Sequence, residues 1–168
     1  MTLPQKHIFF DLEDTLITPV LEGWLNCELV NFHKIQSILK EFQPTHIHTF
    51  TFAIHDEADR RGFETQCKNW LEQAHKITFS TCNGIHEIRE RCCRVKGLQS
   101  NLTSISDMVE FWGKQVSFRL FAEDWFKQSF SKHNPGQPVE IMLVDDSIIP
   151  EKFELFDGML KASVILPF

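Results

Sequence analysis

The sequence predicts an α/β fold in which a mostly parallel β-sheet is covered by helices on both faces. Along the 168 residues, short apolar runs alternate with stretches whose apolar residues recur at helical spacing. Residues 7–10 and 139–144 are largely apolar without strict alternation, which is typical of strands buried on both faces. The length fits one domain with a single sizeable core, and no repeat or linker divides the chain.

The first half of the chain contains two strand–helix pairs. Residues 6–11 are apolar and aromatic and predict the first strand. Residues 28–42 carry apolar side chains three and four positions apart, which predicts a helix. Residues 46–54 are rich in Phe, Thr and Ile and predict the second strand. Asp56 is a suitable N-cap for a helix over residues 56–74.

The second half continues the alternation and ends in strands. Gly97 is placed to cap a helix at its C-terminus. The polar residues 131–138, which contain Asn-Pro-Gly, predict a loop. The predicted elements are a strand at 77–81, helices at 86–96, from Ser104 or Ser106 to Trp112 and at 114–130, and strands at 139–144 and 162–166.

Composition and charge narrow the class of protein. Apolar residues make up 42% and charged residues 24% of the chain, which is ordinary for a globular protein. The formal net charge of −6 argues against a general nucleic-acid clamp. No apolar run approaches the roughly 20 residues of a membrane span, and the N-terminus lacks a signal-peptide core. The five cysteines form no C-x-x-C pair, so we expect reduced thiols and a cytoplasmic protein without a membrane partner.

Acidic residues follow two of the predicted strands. Asp11, Glu13 and Asp14 come directly after the first strand, and Asp145 and Asp146 follow the strand at 139–144. If these strands are parallel and adjacent, their acids share one cleft at the carboxyl end of the sheet, where such sheets bind ligands. Crowded carboxylates repel one another unless a cation joins them, and oxygen ligands favour Mg²⁺. The sequence therefore predicts a magnesium site.

These motifs resemble those of the haloacid dehalogenase superfamily of phosphohydrolases. The family's first motif is h-h-h-D-x-D-x-T/V, and residues 9–17 read Phe-Phe-Asp-Leu-Glu-Asp-Thr-Leu-Ile. Its fourth motif is an apolar strand ending in paired acids, and residues 141–146 read Ile-Met-Leu-Val-Asp-Asp. The resemblance implies a Rossmann-like three-layer sandwich with a mostly parallel central sheet, formed by one domain over residues 1–168. It also implies a Mg²⁺-dependent phosphatase.

The resemblance assigns a role to each acid. Asp11 would be the nucleophile and would form an aspartyl-phosphate, with a cation screening the repulsion between anions. Mg²⁺ would be bound by Asp11, by the backbone carbonyl of Glu13 and by one or both of Asp145 and Asp146. Glu13 occupies the acid/base position, which would protonate the leaving group and then deprotonate the attacking water.

Two further residues are implied by the family's second and third motifs. Thr51, near the end of the second strand, would hydrogen-bond a phosphoryl oxygen, and Thr49 is the alternative. Lys114, at the start of the helix before the strand at 139–144, would neutralise the phosphate and Asp11 together. Lys127 and Lys132 are alternatives for this basic residue.

Glu13 departs from the family pattern, which usually has Asp at this position. The extra methylene moves the carboxyl by roughly 1 Å, and a displacement of that size can cost about 100-fold in rate. Glu13 reaches the acid/base point through a shifted backbone, or Asp14 substitutes for it, or turnover is poor. The alternative function is therefore a weakly active or inactive member of the family that acts as a phosphate- or metal-binding or protein-interaction module.

The predicted cap is minimal and leaves the substrate class open. Residues 16–27 are enough for a small flap in place of a large cap domain. An open cleft favours phosphate on a macromolecule or an oligomer partner that serves as a lid, and a small phosphoester or nucleotide is a close competitor. Trp24 in the flap could stack on a base or ring, or pack as an ordinary core aromatic.

Overall fold

The structure, a computed structural model, describes residues 3–21, 23–99 and 105–168, and over 105–111 it describes the backbone only. These residues form an α/β fold with a six-stranded, mostly parallel sheet flanked by helices, in agreement with the predicted fold class. The strands are β1 (Gln5–Phe10), β2 (His46–Phe50), β3 (Phe79–Asn83), β4 (Val139–Val144), β5 (Glu151–Leu155) and β6 (Leu160–Ile165).

The direction in which successive strands are added to the sheet reverses at its centre. The order is β3-β2-β1-β4-β6-β5, and only β5 is antiparallel to its neighbour. From β1 the chain adds β2 and β3 on one side, and then crosses to add β4 and β6 on the other. The junction between β1 and β4 is therefore the topological switch point, beside which doubly wound sheets bind ligands.

The helices alternate with the strands, and two of them contain a local irregularity. A π-helical turn, Phe63–Cys67, separates α2 from α3, and a second one, Phe126–Phe130, follows α5. Gly113 interrupts α5 with φ 67° and ψ −179°, which matches the predicted division of this region into two helices. The helices are α1 (Phe32–Phe42), α2 (Glu57–Gly62), α3 (Lys68–His75), α4 (Ile85–Lys96), α5 (Ile105–Trp125) and α6 (Ser131–His133).

Each face of the sheet has its own hydrophobic core. Phe9 of β1 belongs to a cluster that includes Ile88 of α4 and Phe121 of α5. Ile8, on the opposite face, belongs to a cluster that includes Ile35 of α1. Alternate residues of a strand point to opposite faces, so the consecutive apolar residues 8–10 at the end of β1 are explained by burial on both sides. The prediction of helices on both faces is confirmed.

Two boundaries differ by four residues from the sequence prediction. The helix predicted from residue 28 begins at Phe32, because the Val30 amide donates to the carbonyl of Leu16 and keeps this segment extended beside the flap. Strand β2 ends at Phe50 rather than 54, because the Thr51 hydroxyl accepts a hydrogen bond from the Ala53 amide in a tight turn.

Strand β5 was not predicted. It forms an antiparallel hairpin with β6, and its alternating charged and apolar residues give a weak strand signal. The turn between them contains Phe156 and Asp157 at positive φ and then Gly158. Of the helix predicted from Ser104 or Ser106 to Trp112, Ser104 lies outside the described residues. Within the described part of the chain, no helix is both long and apolar enough to cross a bilayer.

Candidate metal site at the carboxyl ends of β1 and β4

The acids of the two sequence motifs meet at the switch point of the sheet. Strands β1 and β4 are parallel neighbours with Phe10 opposite Val144, so Asp11 and Asp145 leave the sheet side by side. The Asp11 amide donates to the carbonyl of Val144 at 3.1 Å, which continues the ladder by one residue and fixes the start of the loop. The strand–acid pattern of the sequence thus becomes a single cluster of carboxylates.

Three of the predicted acids form this cluster. Carboxylate oxygens of Asp11, Asp145 and Asp146 all lie within 4.8 Å of one another. Asp11 is 3% exposed and Asp145 is fully buried, whereas Asp146 is half-buried. A buried carboxylate is costly unless it is paired, so the cluster needs compensating positive charge.

Lys114 provides part of that charge. Its Nζ lies 2.6 Å from Asp11 Oδ1 and 2.9 Å from Asp145 Oδ2, and its side chain is largely buried. Lys114 directly follows the break at Gly113 and begins the second part of α5. A lysine is unfavourable at the positive end of a helix, so this position is not explained by helix stability. Lys127 and Lys132 are exposed and contact Glu123 and Gln128 on their own helical segment.

The raised pKa of Asp11 indicates that Lys114 does not fully offset the burial of this carboxyl group. Burial raises the pKa of Asp11 to about 7, Lys114 opposes this shift, and the neighbouring Asp145 adds to it. Burial works against the charged form of Lys114, but Asp11 and Asp145 together raise its pKa above the ordinary value. If a bound cation kept all three carboxylates ionised beside the protonated Lys114, the formal charge of the protein groups would be about −2.

Two hydroxyl side chains orient the acids. Thr15 is fully buried, and its hydroxyl lies 3.3 Å from Asp11 Oδ2 and 3.4 Å from Asp146 Oδ1, to either of which it can donate. Asp145 Oδ1 accepts from both the amide and the hydroxyl of Ser147, at 2.8 and 2.9 Å. Sequence reasoning gave these two residues no role, although a hydroxyl residue close to an acid is a local signal for such contacts.

The second oxygen of Asp145 faces Lys114 inside the cluster. Asp145 Oδ2 is buried, and the Lys114 ammonium at 2.9 Å is its partner among the described residues. An ionised carboxylate oxygen can accept more than one contact, so Oδ2 keeps capacity for a cation. Three clustered carboxylates beside one lysine suit a divalent cation that prefers oxygen ligands.

The side chain of Glu13 lies apart from the acid cluster. Its Oε2 accepts a hydrogen bond from the Val20 amide at 2.7 Å, which ties the carboxylate to the flap. Among its described residues, 16–21 and 23–27, the flap contains a 3₁₀ turn at Trp24–Asn26. In this conformation the Glu13 carboxylate therefore stabilises the flap by a hydrogen bond.

Of the two candidate threonines, Thr49 lies within β2 and Thr51 directly follows the end of the strand. Thr49 Oγ accepts from the Asn83 amide at 2.9 Å, so its hydroxyl oxygen already has a partner inside the sheet. Thr51 follows the strand end and is fully buried, and its oxygen accepts from the Ala53 amide at 3.0 Å. Among the described residues, no hydrogen bond joins Thr51 to the acid cluster.

Trp24 lies in the hydrophobic core. It is 6% exposed, and its ring packs edge-to-face on Phe63 with 5.6 Å between centroids. A Cβ added at Gly62 would lie 2.5 Å from Trp24 Cδ1, so the indole packs directly on the backbone of α2. Of the two interpretations of Trp24, the packed aromatic agrees with this placement, and stacking on a substrate ring does not.

Comparison with known proteins found no relative. No protein-family model, curated protein or solved structure matches the chain. The functional interpretation of the site therefore depends on its geometry and chemistry.

Proposed function

We propose that this chain is a Mg²⁺-dependent phosphatase of the haloacid dehalogenase type that hydrolyses a phosphate monoester through an aspartyl-phosphate on Asp11. The observation that carries the proposal is the cluster of Asp11, Asp145 and Asp146 at the switch point, with Lys114 between two of its members. A buried cluster with excess negative charge lowers the stability of the fold, and such clusters are typical of functional sites. Binding of a divalent cation and a phosphoryl group would be the function that this cluster serves.

The residues would act by position and charge. Asp11 is the member that Lys114 and Thr15 both contact, so its carboxylate is held in one orientation, as an attacking group requires. When bound, Mg²⁺ would supply charge neutralisation for the phosphoryl group and for the acids, with Asp11, the Glu13 carbonyl, Asp145 and Asp146 as ligands. Lys114 would stabilise the charge that develops on the phosphoryl oxygens. Positioning and stabilisation of this kind account for most of the catalysis of phosphoryl transfer.

Thr51 would bind a phosphoryl oxygen. Its oxygen is used by the Ala53 amide, so its hydrogen is available as a donor on the edge of the sheet that carries the acids. A buried hydroxyl beyond the end of a central strand costs free energy unless it gains a partner. A phosphoryl oxygen would be that partner.

Glu13 would serve as the acid/base residue after it leaves the Val20 amide. One hydrogen bond holds its carboxylate on the flap, and a net value of about 1.5–3 kcal/mol for a bond to a charged group is small enough for substrate binding to offset its release. Substrate entry and proton transfer would then be coupled through the flap.

The same contact supports the alternative function. If Glu13 stays bound to Val20, the chain lacks an acid/base residue and would bind metal and phosphate without efficient turnover. Glu13→Asp separates the two functions, because Asp has the side chain of the usual family residue. A large rise in activity would mean that Glu13 limits turnover in the natural chain.

The flap is too small to enclose a substrate. Its described residues form a 3₁₀ turn and isolated β-bridges at Ile17, and its Trp24 is buried against α2. We therefore propose a phosphate carried by a macromolecule, with a small phosphoester or nucleotide as the competing substrate class. A peptide phosphate and a nucleotide monophosphate, assayed at equal concentration, would distinguish these classes.

Hydrolysis of an aryl phosphate ester in Mg²⁺ tests the proposed activity. We expect Mg²⁺-dependent turnover that is lost in Asp11→Asn and retained in Asp157→Asn, since Asp157 is exposed and lies in the turn between β5 and β6. Folded protein that hydrolyses neither this ester nor any member of a phosphometabolite panel would contradict the proposal.

A further inference from the structure

Gln115 joins two parts of the candidate site that are distant in sequence. Its Nε2 donates to the carbonyl of Ile149 at 2.9 Å, and its Oε1 accepts from the amide of Ile149 at 2.9 Å. One side-chain amide therefore satisfies both backbone groups of one residue. This two-point contact connects the start of the second part of α5 to the loop that follows β4.

That loop carries the metal-binding acids. We define the acidic loop as residues 145–150, which begin at Asp145 and Asp146 and end before β5. Lys114 contacts Asp145 at the start of the acidic loop, and its neighbour Gln115 holds Ile149 near the end. Two consecutive residues of one helix thus fix both ends of the acidic loop.

The contact at Ile149 is made by the backbone alone. The Ile149 side chain is 75% exposed, so its burial contributes little to holding the acidic loop. Ile148 is buried in the core. At the start of the acidic loop, the Asp145 amide donates to the carbonyl of Ile165 and the Asp146 amide donates to the Thr15 hydroxyl. The paired hydrogen bonds of Gln115 hold the other end of the loop, at Ile149.

We propose that Gln115 is a positioning residue that holds the acidic loop so that Asp145 and Asp146 bind a divalent cation at a fixed distance from Lys114. The inference rests on the proposed function and deepens it. Hydrogen bonds outside the ligand set orient metal ligands, and their loss typically costs about 10- to 100-fold in metal affinity or activity. Gln115 would act on both the cation and the lysine, because it follows Lys114 directly on the helix.

The test is Mg²⁺ binding by calorimetry to the full chain and to Gln115→Met, which keeps the length of the side chain and removes both hydrogen bonds. We expect about 10-fold weaker Mg²⁺ binding, with phosphatase activity reduced at low Mg²⁺ and restored at saturating Mg²⁺. Gln128→Met is the matched control, because Gln128 is an exposed glutamine that contacts only its own helix neighbour Lys132 in the described hydrogen bonds. It should bind Mg²⁺ as the natural chain does.

The outcomes separate this inference from the proposed function. Gln115→Met that binds Mg²⁺ as tightly as the natural chain overturns the inference and leaves the phosphatase proposal intact. A natural chain that binds no Mg²⁺ overturns both. If Gln115→Met does not fold, the shorter Gln115→Asn is measured in its place, and unchanged Mg²⁺ affinity in that variant overturns the inference equally.

Discussion

Replacement of Lys114 by Met removes the cation that lies between two buried carboxylates. The ammonium is within 3 Å of both Asp11 and Asp145, whose side chains are 4% and 0% exposed. Removing one partner of a buried ion pair costs about 3–5 kcal/mol, because the remaining charge is left uncompensated. We expect the free energy of unfolding of Lys114→Met in EDTA at pH 8 to fall by about this amount.

The cost should depend on pH through Asp11. Burial raises the pKa of this acid to about 7, against about 3.9 in an unfolded chain, so the folded state binds the proton more tightly. Stability without metal therefore falls as pH rises from about 4 to about 7. Lys114 lowers this pKa, so its removal extends the loss above pH 7, and the substitution should cost more at pH 8 than at pH 6.

Urea unfolding in EDTA at pH 6 and pH 8 measures this prediction. Lys127→Met is the matched control, because the exposed Lys127 pairs with Glu123 one helical turn away, and such pairs contribute about 0–1 kcal/mol. If Lys114→Met costs no more than Lys127→Met at either pH, Lys114 is not the compensating charge of the acid cluster. The electrostatic reasoning for the site would then be wrong.

Three further substitutions test other parts of the structure. Glu13→Gln keeps an acceptor for the Val20 amide and removes the group that would transfer a proton to the leaving group. We expect kcat to fall about 100-fold with unchanged Mg²⁺ affinity. Full activity of Glu13→Gln would mean that Glu13 only holds the flap. Burial lowers the pKa of His48 to about 4, so in Mg²⁺ the chain should lose about 1.5 kcal/mol through this group as pH falls from 6.5 to 5. His48→Gln should remove that part of the pH dependence in urea titrations, and an identical slope would contradict the reasoning. Gly62→Ala should cost about 1–3 kcal/mol by contact with Trp24, and unchanged stability would mean that the indole is free to move.

The sequence predicted the parts of the fold that follow from local patterns. The largely apolar run of residues 139–144 became β4, and Gly97 caps α4 in the left-handed conformation. The N-cap at Asp56 was also correct, since its side chain accepts from the Asp59 amide. In each case one or two residues determine the local conformation, so a single sequence is sufficient evidence.

The site was predicted in part for the same reason. Placing Asp11 beside Asp145 required only that two buried strands be parallel neighbours, and the pairing of β1 with β4 satisfies this condition. The hydrogen bond of Glu13 to Val20 was not predictable, because a loop backbone sets its direction. The contact of Gln115 with Ile149 also depends on the tertiary arrangement, since nothing local in either segment specifies the other.

The region beyond β4 shows where local patterns fail. Residues 151–155 alternate charged and apolar side chains weakly, and their strand conformation depends on pairing with β6. Trp24 is a similar case, since its residue type suits either ring stacking or the core. Contact with Phe63 and Gly62, which lie on a different element, determines that it packs in the core.

Formation of a beryllium fluoride adduct tests the central claim most directly, because this phosphoryl mimic bonds to a nucleophilic carboxylate that has a cation beside it. Fluorine NMR of the full chain with beryllium fluoride should show bound signals that require Mg²⁺ and are absent in Asp11→Asn. Asp157→Asn, whose altered side chain is exposed, should retain them. Absence of bound signals from folded natural chain in saturating Mg²⁺ would contradict the assignment of Asp11 as a phosphoryl acceptor.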